Sequence, residues 1–93
     1  MDFDIPTSGY FILTKSKCSY CSRAKVLVPN AKTLLCDEYL DKNKQGFLDY
    51  VDKYTGQEYR TFPMVFFNGG FIGGFNQLKE HIDRRDAFTF CDF

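Results

Sequence analysis

Apolar positions along the chain fall into two kinds of pattern. Tyr10–Thr14 and Phe62–Phe67 are short, nearly unbroken apolar runs. Runs of that length bounded by turn residues read as buried strands. Elsewhere apolar residues recur at helical spacing. Ser19–Val28 reads as a first helix with Ala24, Leu27 and Val28 as its buried stripe. Pro29 ends it, since proline lacks an N–H and its ring clashes with the preceding turn. Lys32–Leu40 reads as a second strand. Asn43–Tyr54 reads as a second helix, with Phe47, Leu48, Val51 and Tyr54 in register and Gly56 as its stop signal. Gln57–Arg60 is a polar loop. Asn68-Gly69-Gly70 is a hairpin turn from the Phe62–Phe67 run into a short fourth strand at Phe71-Ile72. Gly73-Gly74 leads into a third helix over Asn76–Arg85, with Leu78, His81 and Ile82 along one side. Met1–Gly9 is a lead-in closed by the turn Pro6-Thr7-Ser8-Gly9. The tail from Asp86 to Phe93 is too short to assign.

The predicted order is therefore β-α-β-α-β-β-α. Two strands joined through a helix should be parallel with a right-handed crossover, and the hairpin strands antiparallel. The fold class is α/β, a four-stranded mixed sheet flanked by helices. Ninety-three residues are enough for one domain, 1–93, and too few for two. A chain of this size buries roughly 60–68% of its unfolded surface and folds without disulfide staples. An apolar content of 44%, with eleven phenylalanines, supplies a core and argues against disorder.

Zero formal net charge gives no global attraction to nucleic acid or membrane, and neither is expected as a partner. No stretch approaches the ~20 apolar residues of a membrane span. The first twenty residues have no cationic segment ahead of an apolar one. These features lead us to expect a soluble, cytoplasmic protein. In a reducing compartment, four cysteines point to catalysis, metal binding or burial rather than cross-linking.

Two of them, Cys18 and Cys21, form a C-x-x-C pair between the first strand and the first helix. A cysteine at a helix start faces free backbone N–H groups and the positive end of the helix dipole. Such surroundings lower a thiol pKa from about 8.5 into the range of roughly 3.5–7.5 in C-x-x-C motifs, and the thiolate is the nucleophile. From Tyr10 to Lys32 there are five basic residues (Lys15, Lys17, Arg23, Lys25, Lys32) and no acidic one, which favours the thiolate further. Cys18 is the expected nucleophile and Cys21, facing the helix interior, the resolving thiol. A zinc site would call for a second C-x-x-C or a spaced histidine pair; Cys36, Cys91 and His81 provide neither. Cys36 is expected to point into the core, Cys91 to pack with Phe88 or Phe90, and His81 to lie on a helix surface.

Three motifs in register, Cys18-Ser19-Tyr20-Cys21, Thr61-Phe62-Pro63 and Ile72-Gly73-Gly74-Phe75, resemble those of the glutaredoxins. The resemblance runs from Tyr10 to Arg85, and Ile72–Leu78 looks most like the short virus-encoded members that serve ribonucleotide reductase. It implies a thioredoxin-like fold and a monomer that uses glutathione to reduce protein disulfides or glutathione mixed disulfides. Ribonucleotide reductase is then one candidate partner. It puts Lys15 near a glutathione carboxylate and Tyr20 beside the tripeptide. It implies a cis Phe62–Pro63 bond that turns the Phe62 backbone toward the ligand, with Thr61 alongside, and gives Gly74, Phe75 and Asn76 the glutamyl end. Arg60 is a further candidate for a carboxylate.

The chain departs from that pattern at four places. Ser19 stands where proline is commoner, and Asn76 where aspartate is commoner. Leu48 is matched to a helix position where many members carry a glutathione-binding glutamine. The loop before Thr61 is about two residues longer than in cellular members. Ser19 also keeps an alternative open, because some C-S-Y-C relatives bind a [2Fe–2S] cluster between two chains and two glutathiones.

Overall fold

The computed structural model describes residues 3–90, and side chains as far as Arg84. Its elements are β1 (Tyr10–Thr14), α1 (Ser19–Leu27), β2 (Lys32–Leu35), α2 (Asp37–Thr55), β3 (Met64–Phe67), β4 (Gly70–Gly73) and α3 (Phe75–Phe90). The strands form one mixed sheet in the order β2-β1-β3-β4. β1 runs parallel to β2 and antiparallel to β3, which in turn pairs antiparallel with β4. The α/β expectation holds: this is a thioredoxin-like four-stranded mixed sheet with three helices.

Strand alternation sorts the core into two layers. Phe11 and Leu13 lie opposite Phe66 and Met64 and face α2, whose Phe47, Leu48 and Val51 are buried against them. Ile12 lies opposite Val65 on the other face, where Ala24 of α1 and Leu78 of α3 close the second layer. Fully burying a side chain such as Phe47 or Phe66, both 0% exposed, contributes roughly 1.5–3 kcal/mol. The hairpin turn is Asn68-Gly69, with φ of 51° and 86°. Positive φ at both central residues is the geometry that matches strand twist and selects Asn-Gly. Asn68 Oδ1 also accepts a hydrogen bond from the Gly9 N–H at 2.8 Å, tying the turn to the lead-in.

Several expectations are corrected. The second strand ends at Leu35, and residues 37–40 are the first turn of α2 rather than the strand's end. Asp37 and Glu38 open that helix, where acidic side chains complement the dipole. The helix is kinked at Asn43, whose φ/ψ is non-helical and whose Oδ1 accepts from the Gly46 N–H at 3.1 Å. Asn43 thus caps the second segment, the part that the spacing predicts. Gly56 ends α2 in the left-handed conformation, as its position suggests. In α1 the buried residues are Cys21 and Ala24, while Leu27 is exposed and Val28 half-buried. α3 continues to Phe90 through residues that the sequence leaves unassigned. His81 is not a free surface residue: it is half-buried, its Nδ1 lies 2.7 Å from the Tyr10 hydroxyl, and Phe67 packs on its ring. Cys36 is fully buried, as expected, and Cys91 lies outside the described residues.

Candidate active site

β1 delivers the chain to a short loop, Lys15-Ser16-Lys17, in which Lys17 takes a positive φ of 55°. The turn places Cys18 at the N-cap of α1, in extended conformation. Serine and threonine are the usual N-caps because a side-chain oxygen accepts from an N–H of the first turn. Here the sulfur does that: the Cys21 N–H donates to Cys18 Sγ at 3.2 Å. The bond favours negative charge on the sulfur, as do the helix dipole and the absence of acidic residues in the first turn. Cys18 is half-buried and Cys21 only 2% exposed. The two sulfurs are bonded to each other, with the Cα atoms 5.3 Å apart. The structure is therefore the oxidised state of the pair, with Cys18 the sulfur that faces out.

Beside the disulfide runs a groove of about 360 Å³. Its walls include Tyr20 from α1, Thr61, Phe62 and Pro63 from the segment before β3, and Gly74, Phe75 and Asn76 at the start of α3. These are seven of the residues that the sequence singles out, brought together from three separate stretches. The Phe62–Pro63 bond is cis, and the Phe62 carbonyl oxygen lies 3.8 Å from Cys18 Sγ. Tyr20 is half-exposed, packs on Phe75 with ring centroids 5.5 Å apart, and carries the Arg23 guanidinium over its outer face. Lys15 does not line the groove but stands at its edge, with Nζ 5.7 Å from the centre of the Phe62 ring.

Two groove residues were not anticipated. Gln77 reaches back so that its Oε1 accepts from the Gly74 N–H at 2.9 Å. Gly74 begins the helix, since its carbonyl accepts the first intrahelical bond, from Leu78. A glutamine three residues after an N-cap is half of a capping box, a signal present in the sequence. Because the cap is a glycine, no side chain covers the next N–H groups, and the start of α3 opens into the groove as a place for an anion. Tyr59 is the other, and its hydroxyl explains the glycine. A Cβ built on Gly74 would sit 2.6 Å from that oxygen. Nothing in the sequence around Tyr59 announces this contact.

Arg60 and the departure at Leu48 both lie outside the groove. Arg60 is held by Asp52 in a two-pronged pair, with N–O distances of 2.8 and 3.1 Å. Its charge is already engaged there. Leu48, matched by sequence to a ligand-contacting position, is 7% exposed within the α2 layer of the core. Among the described residues no group of three or more His, Cys, Asp or Glu side chains is arranged to hold a metal ion. No helix of the described residues is long and apolar enough to cross a membrane.

The family model for glutaredoxin matches residues 11–72. The chain belongs to the glutaredoxin family. Mouse mitochondrial glutaredoxin-2 is 42% identical to it over 65 residues, covering 68% of this chain and 40% of the mouse protein. This glutaredoxin chain thus matches about two fifths of the length of that curated relative. Among solved structures, glutaredoxin 1 from Francisella tularensis superposes with a TM-score of 0.71 at 25% identity, over 85% of this chain and 96% of the other. A buckwheat glutaredoxin–glutathione complex superposes with a TM-score of 0.60 at 32% identity, over 84% and 69%. That buckwheat protein is in complex with glutathione.

Proposed function

We propose that this chain is a glutathione-dependent thiol–disulfide oxidoreductase, with Cys18 as nucleophile, Cys21 as resolving thiol and the adjoining groove as the glutathione site. The observation that carries the reading is the N-cap position of Cys18, with its Sγ 3.8 Å from the carbonyl of Phe62 in the groove wall. Reduced, Cys18 attacks the glutathione sulfur of a mixed disulfide. A Cys18–glutathione bond forms, and the substrate sulfur leaves as a thiolate that takes a proton from water. A second glutathione thiolate then attacks that bond, releasing glutathione disulfide and restoring Cys18. With a protein disulfide, Cys18 bonds one substrate sulfur and the other leaves. Cys21 then attacks Cys18 and frees the substrate. The chain is left in the oxidised form described above, and two glutathiones supply the two electrons that reduce it again.

In this reading the Phe62 backbone pairs with the cysteinyl part of glutathione, with Thr61 and Pro63 shaping that wall. Tyr20 lies beside the tripeptide. The N–H groups opened by Gly74 at Phe75 and Asn76 receive its glutamyl carboxylate, and Lys15 the other carboxylate. The likeness of Ile72–Leu78 to virus-encoded members makes ribonucleotide reductase a candidate protein substrate, with a reducing, cytoplasmic setting and a monomeric enzyme. The test is a glutathione-coupled reduction assay on freshly purified protein, read together with its visible spectrum and its mass in solution. Turnover by a colourless monomer supports the proposal. A brown dimer that becomes active only as its colour fades would replace it with the [2Fe–2S] reading.

A further inference from the structure

α1 carries an apolar surface that the redox chemistry does not use. Val26 is 77% exposed and Leu27 39% exposed, although a nine-residue helix packed on a sheet normally turns such residues inward. With Ser22, Arg23 and Phe75 they form a pocket of about 370 Å³. Phe75 is shared with the groove beside the disulfide, so the two recesses are neighbours across one ring. Among the described residues, Arg23 is the only charged one in the pocket wall. Lys25 follows on α1, and Lys79 stands one turn along α3 from Phe75. No acidic residue occurs from Tyr10 to Lys32.

We infer that this pocket is a docking site for the polypeptide of a disulfide substrate, and that it selects a bulky apolar side chain flanked by acidic residues. The inference rests on the redox reading above and adds to it a rule for which cysteines are reached. The pocket residues of α1 lie four to nine positions beyond Cys18. At ~1.5 Å per residue, that centres the pocket on the order of 10 Å along the helix from the nucleophile. An extended chain covers that distance in about three residues at ~3.3 Å each. The apolar residue should therefore lie about three positions from the substrate cysteine. The pocket wall takes the apolar side chain, and Arg23 in that wall takes the flanking carboxylates. Glutathione is too short to span from Cys18 to this pocket while filling the groove, so small substrates should be indifferent to it.

The test separates docking from chemistry. The probe is a ten-residue peptide with serine in place of the cysteine, leucine three residues away and glutamates flanking the leucine. Controls replace the leucine by serine, or the glutamates by glutamine. Titrated into the full chain, the leucine–glutamate peptide should shift the NMR signals of Val26 and Leu27 saturably. It should bind at least tenfold more tightly than either control, and more weakly as salt is added. Val26→Asp, at a side chain already in solvent, should abolish the shifts and keep the fold. The cysteine form of the peptide, as its glutathione mixed disulfide, should then lose about tenfold in kcat/KM with V26D, while a small glutathione mixed disulfide is turned over as before. Equal binding of the leucine probe and its controls, or shifts that V26D leaves intact, overturn the inference. So does a dimer in sedimentation that V26D dissociates, since a second copy would then be the occupant. If the peptide docks as described but neither mixed disulfide is reduced, the docking site stands and the redox reading fails.

Discussion

The Ser16 amide donates to the Asp37 carboxylate at 2.8 Å, and so fastens the loop before Cys18 to the first turn of α2. Hydrogen bonding from Ser16, with the Lys15 charge behind it, holds the Asp37 carboxyl below its usual pKa. A carboxyl depressed in the folded state binds fewer protons there than in the unfolded chain, so stability rises with pH across that window. The contribution is complete above the unfolded value of about 3.9. It is lost as pH falls through the lower folded value. Asp37→Asn should flatten this acid limb without abolishing it, because Asp52 is depressed in the same direction by Arg60. Thermal midpoints between pH 5 and pH 2 test the point; parallel limbs for the two proteins would show that Asp37 is not linked to folding.

Cys18→Ser should abolish thiol transfer, since Cys21 and Cys36 are buried, even though Cys36 also stands at a helix start as the N-cap of α2. Cys21→Ser should retain turnover of glutathione mixed disulfides and lose most activity on protein disulfides. An equal loss on both substrates contradicts the division of roles. The comparison needs only two coupled assays on each variant.

Gly74→Ala should raise the apparent KM for glutathione several-fold, because the new methyl meets the Tyr59 hydroxyl at 2.6 Å and displaces a groove wall. Removing that hydroxyl should relieve the contact. Tyr59→Phe in the Gly74→Ala background is therefore expected to recover much of the affinity. Failure of the second substitution to restore binding would place the clash elsewhere, for example at the Pro63 carbonyl 3.4 Å away.

Cys36 should resist alkylation in the native reduced protein at pH 8. Its side chain is inaccessible, and burial pushes its pKa up to about 12. Peptide mapping after brief iodoacetamide treatment should find Cys18 modified and Cys36 intact, with Cys36 reacting only once the chain is unfolded. Early labelling of Cys36 would mean that the α2 layer opens far more readily than its packing implies.

Lys15→Gln should raise the KM for glutathione by several-fold at most, since exposed ion pairs contribute only about 0–1 kcal/mol and are screened by salt. The effect should shrink with added salt and leave the rate at saturating glutathione nearly unchanged. A collapse of kcat would instead implicate Lys15 in holding the Cys18 thiolate.

The strand–helix succession was legible because buried strands, an Asn-Gly turn and a C-x-x-C each leave a strong local mark. The misreadings have local causes as well. Leu34, Leu35 and Leu40 extend an apolar run across Cys36, and only the backbone shows that the chain turns there from β2 into α2. Leu27 reads as core by spacing, but the helix presents Cys21 and Ala24 to the sheet instead. The groove itself was readable where motifs carry it. Tyr59 was not, because its place follows from how α3 and the loop before β3 meet. Leu48, where the resemblance expects a glutathione-binding glutamine, is packed into the core, and Arg60, offered as a further carboxylate partner, is paired with Asp52; neither placement is marked in the sequence around it.

The sheet also divides the molecule by task. α1 and α3, which frame the disulfide and the groove, close one face, and α2 with its aromatic neighbours closes the other. Yet Tyr59 and Phe62, which wall the groove, pack against the α2 layer, so a damaged ring at Phe47 or Phe66 is felt at the redox site through them. The face that folds the molecule and the face that carries the chemistry are therefore joined at two aromatic rings.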